Sequence, residues 1–184
     1  MIVGVTARKR HGKDTVCDYL VEKYGFEKYS LATPLKRGAM EIFGLSEEQV
    51  FGDLKEVIDP EWGCTPRELL QVLGTELLQF DIQKHLPSFK KIGRYIWVKN
   101  FFKYYSKNSS KNIAISDCRF IHETKSIADV KNTLIIKVVR PGLPDNDTHS
   151  SESEIDQVEY DHLVINDGTI EELYTKIDAI IGNK

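Results

Sequence analysis

Cysteine is scarce in this chain of 184 residues: Cys17, Cys64 and Cys118 stand far apart, share no metal-ligand spacing and are odd in number. That excludes a disulfide-stapled scaffold or a zinc ribbon and points to free thiols in a reducing, cytoplasmic setting. No apolar run reaches the length that crosses a bilayer. The short run Ile2–Val5 precedes the bases Arg8, Lys9 and Arg10, the reverse of the order in a secretory signal. Charge of one sign is lacking too, since 25 Lys and Arg against 28 Asp and Glu leave a formal charge of −3. Such a surface carries no electrostatic footprint for duplex nucleic acid or for a membrane, so small soluble partners are expected. Internal repeats and low-complexity tracts are absent. What is there, 41% hydrophobic and 29% charged residues, suits one soluble globular domain with a closed core.

The order of apolar runs carries the architecture. Residues 2–6 form a short β-branched run, followed by a helical pattern over 13–24 in which Val16, Tyr19, Leu20 and Tyr24 share a face. Gly25 stops that helix, and 26–31 reads as a second strand. Further strands are expected at 113–116, 134–139 and 163–165, each ending in a polar or turn-forming cluster, with a last helix over 170–181. Strands alternating with helices predict a parallel sheet covered on both faces. Residues 33–110 read instead as a helical insertion, with a leucine stripe (Leu69, Leu70, Leu73, Leu77, Leu78) from Pro66 to about Asp81.

The segment Ala7-Arg8-Lys9-Arg10-His11-Gly12-Lys13-Asp14-Thr15 directly follows a strand and opens a helix. Binding a phosphate chain takes several converging backbone N–H donors and one cation that reaches the far oxygens. A tight turn into a helix N-terminus supplies the donors, Lys13 supplies the cation, and Gly12 lets the backbone come close. The pattern departs from G-x-x-x-x-G-K-[ST] twice: Ala7 replaces the first glycine, and Asp14 stands where a magnesium-binding hydroxyl is usual, with Thr15 one place late. Asp14 either holds Mg²⁺ through water or is a helix-start acid favoured by the macrodipole.

Arg10-His11-Gly12-Lys13-Asp14-Thr15 resembles the variant phosphate loop of the deoxynucleoside monophosphate kinases of bacteriophages and large DNA viruses, in which an Asp after the loop Lys is usual. Five segments along nearly the whole chain resemble that family in its order. The resemblance implies a three-layer α/β P-loop kinase fold with a central parallel sheet of about five strands. The core would be 1–32 and 111–184, with a helical acceptor-binding insertion at about 33–110 and a lid loop at about 140–156. It implies ATP and Mg²⁺ as cofactors, a deoxynucleoside monophosphate as acceptor, and a cytoplasmic protein (of the host cell if phage or viral). A homodimer stays open.

Site roles follow from the same resemblance. Arg10, His11, Gly12, Lys13, Asp14 and Thr15 would hold ATP, with Asn166 and Asp167 under its adenine. The stretch Leu31-Ala32-Thr33-Pro34-Leu35-Lys36 would place Lys36 at the acceptor's phosphate. Arg67, Gly74 and Thr75, from the Arg-x-Leu-x-Gln-x-Leu-Gly-Thr-like segment, would face the acceptor, and Arg10 would reach it as well. Capping chemistry accounts for Thr65, Pro66 and Glu68 but not for a glycine at 74 in mid-helix, which costs about 1 kcal/mol against Ala. Trp97 reads equally as core or as a wall for a base, and the family's Trp-Val-Lys favours the wall. In Asp117-Cys118-Arg119-Phe120-Ile121-His122-Glu123, Asp117 would orient metal or acceptor oxygen, Arg119 would clamp charge and Glu123 would line the acceptor site. Arg140 would stabilise the transferring phosphoryl group as a catalytic residue beside Lys13 and Asp117, with His149 and Glu152 completing the lid. Metal contacts would fall to Asp14, Thr15 and Asp117. The alternatives are a P-loop kinase of another phosphorylated metabolite, such as phosphomevalonate, and a non-catalytic nucleotide-binding module. A GTPase-like switch is disfavoured because no Asn-Lys-x-Asp motif is found.

Overall fold

The structure, a computed structural model, describes residues 1–143 and 154–182. Five strands form one parallel sheet: β1 (Ile2–Thr6), β2 (Glu27–Tyr29), β3 (Ile113–Ile115), β4 (Thr133–Val139) and β5 (His162–Ile165). Their order across the sheet is β2-β3-β1-β4-β5, and every neighbouring pair is parallel. β1 therefore lies in the middle. The chain moves to one side of it for β2 and β3, then crosses to the other for β4 and β5. All five residues of β1 are buried, as befits a central strand covered on both faces.

Two helices pack on one face, α1 (Lys13–Tyr24) and the last helix, α8 (Ile170–Ile181). Val16 and Leu20 of α1 and Leu173 and Ile177 of α8 join Val3 and Val5 of β1 and Ile136 and Val138 of β4 in one apolar cluster. Alternation turns Ile2, Gly4 and Thr6 to the opposite face. There a Cβ on Gly4 would lie 2.8 Å from Ile135 Cδ1 and 3.4 Å from Cys118 Sγ. Cys118 leads into α7 (Ile121–Ala128), which contacts β1 and β4.

The boundaries of α1 and α8 agree with the expected ones because their end signals are local. Gly25 closes α1 in the left-handed conformation (φ 66°), its N–H reaching back to the Leu20 and Val21 carbonyls. Thr169 and Glu172 form a capping box at the start of α8.

The chain divides into two compact units, Met1–Leu31 with Phe102–Lys184, and Ala32–Phe101. The second is helical. It holds α2 (Thr33–Phe43), α3 (Glu47–Val50), α4 (Pro66–Gln71) and α5 (Ile82–His85), and α6 (Ile96–Tyr105) begins in it. Ala39, Leu45 and Val50 form its small core, with Leu69, Leu70 and Leu73 packed against them.

The expected amphipathic helix from Pro66 is regular only to Gln71; from Val72 to Asp81 it widens into a π-helix. Gly74 lies at the change. Its carbonyl accepts the Gln79 Nε2 amide at 3.2 Å and the Trp97 indole N–H at 3.0 Å, so side chains intrude on the regular ladder. A Cβ at Gly74 would meet Leu35 Cδ2 at 2.4 Å. Leu35 is thus what the mid-helix glycine admits. Trp97, expected as a wall for a base, is only 7% exposed with its one donor satisfied, and belongs to the packing of this unit.

Candidate active site

A parallel sheet sends the carboxyl ends of all its strands to one edge, and ligands of open α/β sheets collect there, where strand order reverses. At that edge β1 releases the loop 7–12, β3 releases Asp117, β4 releases Arg140 and β5 releases Asn166. Residues far apart in sequence therefore arrive at one place. That assembly follows from topology alone.

The loop has the backbone of an anion cradle. Arg10 (φ 69°) and Gly12 (φ 104°) both occupy positive φ, so the chain turns sharply before α1. Gly12 is the N-cap residue and offers no side-chain bond to the first turn, which leaves the opening amides of α1 as unsatisfied donors. The first helical bond runs from Val16 N to Gly12 O at 3.0 Å. A Cβ at Gly12 would lie 2.7 Å from Asn166 Nδ2, so that close approach also requires glycine.

Other strand ends brace the loop. Asn166 Nδ2 donates to the His11 carbonyl at 3.0 Å, and the Arg140 N–H donates to His11 Nδ1 at 3.2 Å. Arg10, Gly12, Lys13, Thr15 and Arg140 line a cavity of about 370 Å³, with Ile170 and Leu173 supplying apolar surface. Asp14 also borders it, with Oδ2 2.7 Å from Lys13 Nζ and Oδ1 3.5 Å from Lys28 Nζ. Burial pushes the Asp14 carboxyl up, but the hydrogen bond and charge of Lys13, with help from Lys28, outweigh it and hold it below its ordinary value. Lys28 is a neighbour that no sequence motif announced.

Asp117 follows β3, and both its oxygens accept: Oδ2 from Ser30 Oγ and Oδ1 from the Leu31 N–H, each at 2.7 Å. This carboxylate is oriented before any ligand arrives. The backbone beyond it is fixed by Glu123, whose Oε2 accepts the N–H groups of Arg119 at 2.9 Å and Phe120 at 3.1 Å. Glu123, expected to line the acceptor site, is 3% exposed and ties down the turn that carries Asp117 and Arg119.

Burial pushes the Glu123 carboxyl up to about 7, against the downward pull of those two amides. Its folded value thus exceeds the ordinary 4.5, so Glu123 favours folding fully below pH 4.5 and loses that contribution as pH rises through about 7. At about 1.4 kcal/mol per pH unit, the loss is on the order of 3 kcal/mol. Glu123→Gln keeps an oxygen for both amides and carries no charge. Melting curves from pH 4 to 8 are expected to show the variant overtaking the parent as pH rises; parallel curves would reject this account.

Asp167 turns toward α8: its Oδ1 is 2.8 Å from Lys176 Nζ, which also donates to the Ile165 carbonyl at 2.7 Å. It is not among the residues lining the cavity, whereas Asn166 and Gly168 are. In the helical unit, Arg67 Nε lies 2.6 Å from Glu56 Oε1, Lys36 Nζ sits 4.6 Å from the centre of the Phe51 ring, and Thr75 is buried. His149 and Glu152 lie outside the described residues.

In sequence, Arg8, Asp156, Ser30, Ile170 and Leu173 have no individual site role: Arg8 reads only as part of the loop segment, Asp156 as the end of the lid, and Ile170 and Leu173 as part of the terminal strand-turn-helix. Only the folded chain brings them to the loop and its neighbours.

Comparison with known proteins places the chain in a family. A family model described as deoxynucleotide monophosphate kinase matches residues 1–56 and 47–177. A protein of Acanthamoeba polyphaga mimivirus named for the same activity is 38% identical over 191 positions, covering 100% of this chain and 97% of the relative. The deoxynucleotide monophosphate kinase of Enterobacteria phage T4 is 25% identical, covering 96% of each chain. Among solved structures, TT1252 from Thermus thermophilus aligns with a TM-score of 0.52 at 14% identity, over 100% of this chain and 97% of that one. That last likeness concerns fold alone.

Proposed function

We propose, from the premise that this chain belongs to the deoxynucleotide monophosphate kinase family, that it moves the terminal phosphoryl group of ATP onto a deoxynucleoside 5′-monophosphate. The observation that carries this reading is the cavity at the N-terminus of α1, where unsatisfied amides, Lys13 and Arg140 converge. Phosphoryl transfer of this kind needs little covalent help from protein. It needs reactants held in line and charge balanced on the oxygens that surround the moving phosphorus.

In this reading the amides of the loop and first helical turn hold the β- and γ-phosphates, and Lys13 holds the far end. Arg140 faces the same cavity and offsets charge on the group in transit. Ile170 and Leu173 provide an apolar wall for the nucleoside part of ATP. Asn166 acts by fixing the His11 carbonyl and hence the loop. Asp117, held by Ser30 and Leu31, orients the attacking oxygen or a water near it, with Arg119 as its neighbouring cation. On the helical insertion, Lys36 and Arg67 are assigned to the acceptor's phosphate, a forked Arg suiting a dianion.

The donor set at the mouth of α1 fits Mg²⁺. Asp14 and Thr15 border the cavity with hard oxygen atoms, and this ion is commonly held by one or two carboxylates together with substrate phosphates. Among the described residues no group of three or more His, Cys, Asp or Glu could hold a metal by itself, so the phosphates would complete the set. When bound, the ion would supply neutralisation of phosphate charge.

The test is acceptor competition. Purified protein is mixed with ATP and, separately, dGMP, dTMP, dCMP or mevalonate phosphate, and ADP release is followed. Release is expected with at least one deoxynucleoside monophosphate and not with mevalonate phosphate. ATP binding without turnover on any of the monophosphates would favour a passive nucleotide-binding module instead.

A further inference from the structure

Of the bases in the loop, Arg10 and Lys13 line the cavity and Arg8 does not. Arg8 instead makes a two-point contact with one carboxylate, Nε to Asp156 Oδ1 at 3.1 Å and Nη2 to Oδ2 at 2.5 Å. The two residues are 148 positions apart. Asp156 is itself held firmly. It belongs to the short 3₁₀ turn Glu154–Gln157, whose Ile155 is buried, and Lys137 of β4 donates through Nζ to the Ile155 carbonyl at 3.0 Å and the Asp156 carbonyl at 3.1 Å. From the loop side, the Arg8 carbonyl accepts the His11 N–H at 3.3 Å. Fixing Arg8 therefore fixes the turn that delivers Gly12 and Lys13.

A second consequence is electrostatic. Arg8, Lys9, Arg10 and Lys13 put four cations within six residues of chain. A polyphosphate is positioned well only if the cations that should not bind it are engaged elsewhere, and a planar guanidinium is neutralised best by a bidentate carboxylate.

We propose that Asp156 is a positioning residue for the phosphate loop: through Arg8 it holds residues 8–12 in the shape that receives the phosphates of ATP, and it keeps the Arg8 charge out of the binding set. This rests on the reading of the loop as the ATP site. Side-chain exposures of 20% for Arg8 and 57% for Asp156 make the pair a minor contributor to overall stability, since ion pairs open to solvent are worth little. Its effect belongs to ligand geometry, and a role in mere folding would show itself differently.

The experiment compares the intact protein with D156N, R8Q and the double variant. Equilibrium binding of a fluorescent ATP analogue is measured, together with KM for ATP, KM for the best deoxynucleoside monophosphate, and the melting temperature. Each single variant is expected to weaken ATP binding roughly tenfold while the acceptor's KM and the melting temperature barely move. The double variant is expected to be no worse than either single one, because both remove the same contact. Unchanged ATP binding in both single variants would overturn the proposal. So would additive losses, or a kcat decrease that follows a lowered melting temperature while KM for ATP stays put. Failure of the parent protein to bind the analogue at all would overturn the kinase reading beneath it, a result separable from the others.

Discussion

Lys13→Ala is expected to lower kcat/KM by about two to three powers of ten while the protein keeps its fold. The side chain is only 18% exposed and borders the cavity, within 2.7 Å of the Asp14 carboxylate. A preorganised cation aimed at the oxygens that gain charge during transfer is worth about 3–4 kcal/mol, which converts to that loss. Its contribution to folding is smaller. The Lys13–Asp14 pair has a largely exposed acid partner, so removing it is expected to change stability by less than about 1 kcal/mol. Lys28 still faces Asp14 at 3.5 Å and limits the damage. Turnover assays paired with thermal melts separate the two effects. Near-normal turnover in the variant would remove Lys13 from the chemistry.

Gly12→Ala is expected to have the next largest effect, by a different route. Gly12 sits at φ 104°, and an L residue forced into such a region costs about 1–3 kcal/mol. The added methyl would also approach Asn166 Nδ2 to 2.7 Å. Asn166 can escape only by turning away, which gives up its bond to the His11 carbonyl. Strain and lost bracing therefore fall on the same turn. ATP affinity is expected to drop about a hundredfold, with a lower melting temperature as well. Asn166→Ala in the same background removes the collision but not the strain or the missing bond, so it should restore little. Titration of an ATP analogue into the three proteins checks this. Parental affinity in Gly12→Ala would mean that the turn does not shape the phosphate site.

Much of the fold is legible without coordinates because its signals are short-range. The β-branched run before a basic turn marks β1, Gly25 ends α1 in a conformation few other residues adopt, and Thr169 with Glu172 starts α8. The glycine and lysine of the phosphate loop are legible for the same reason: their chemistry depends on neighbours within a few residues. Legibility fades where a residue's role is set by what lies across the sheet. Glu123 reads as an acceptor ligand in sequence, yet in the fold it accepts two backbone amides from within. Asn166, which the resemblance puts under the base, borders the cavity and also braces the loop, a second task the sequence did not announce. Trp97 reads equally as wall or core, with the resemblance favouring the wall, and in the fold it is buried with its indole N–H on the Gly74 carbonyl.

The amino-acid order by itself determined the strands and most helices, most of their ends and the phosphate turn, because periodicity, caps and turn geometry are local energies; the likeness to a kinase family came separately, from the resemblance of its motifs. Only the tertiary structure decided the strand order β2-β3-β1-β4-β5, the π-helix at 72–81 and the pairing of Arg8 with Asp156. Those depend on contacts between segments up to 148 residues apart, whose choice rests on the summed burial and hydrogen bonding of the whole chain and on no short stretch of it.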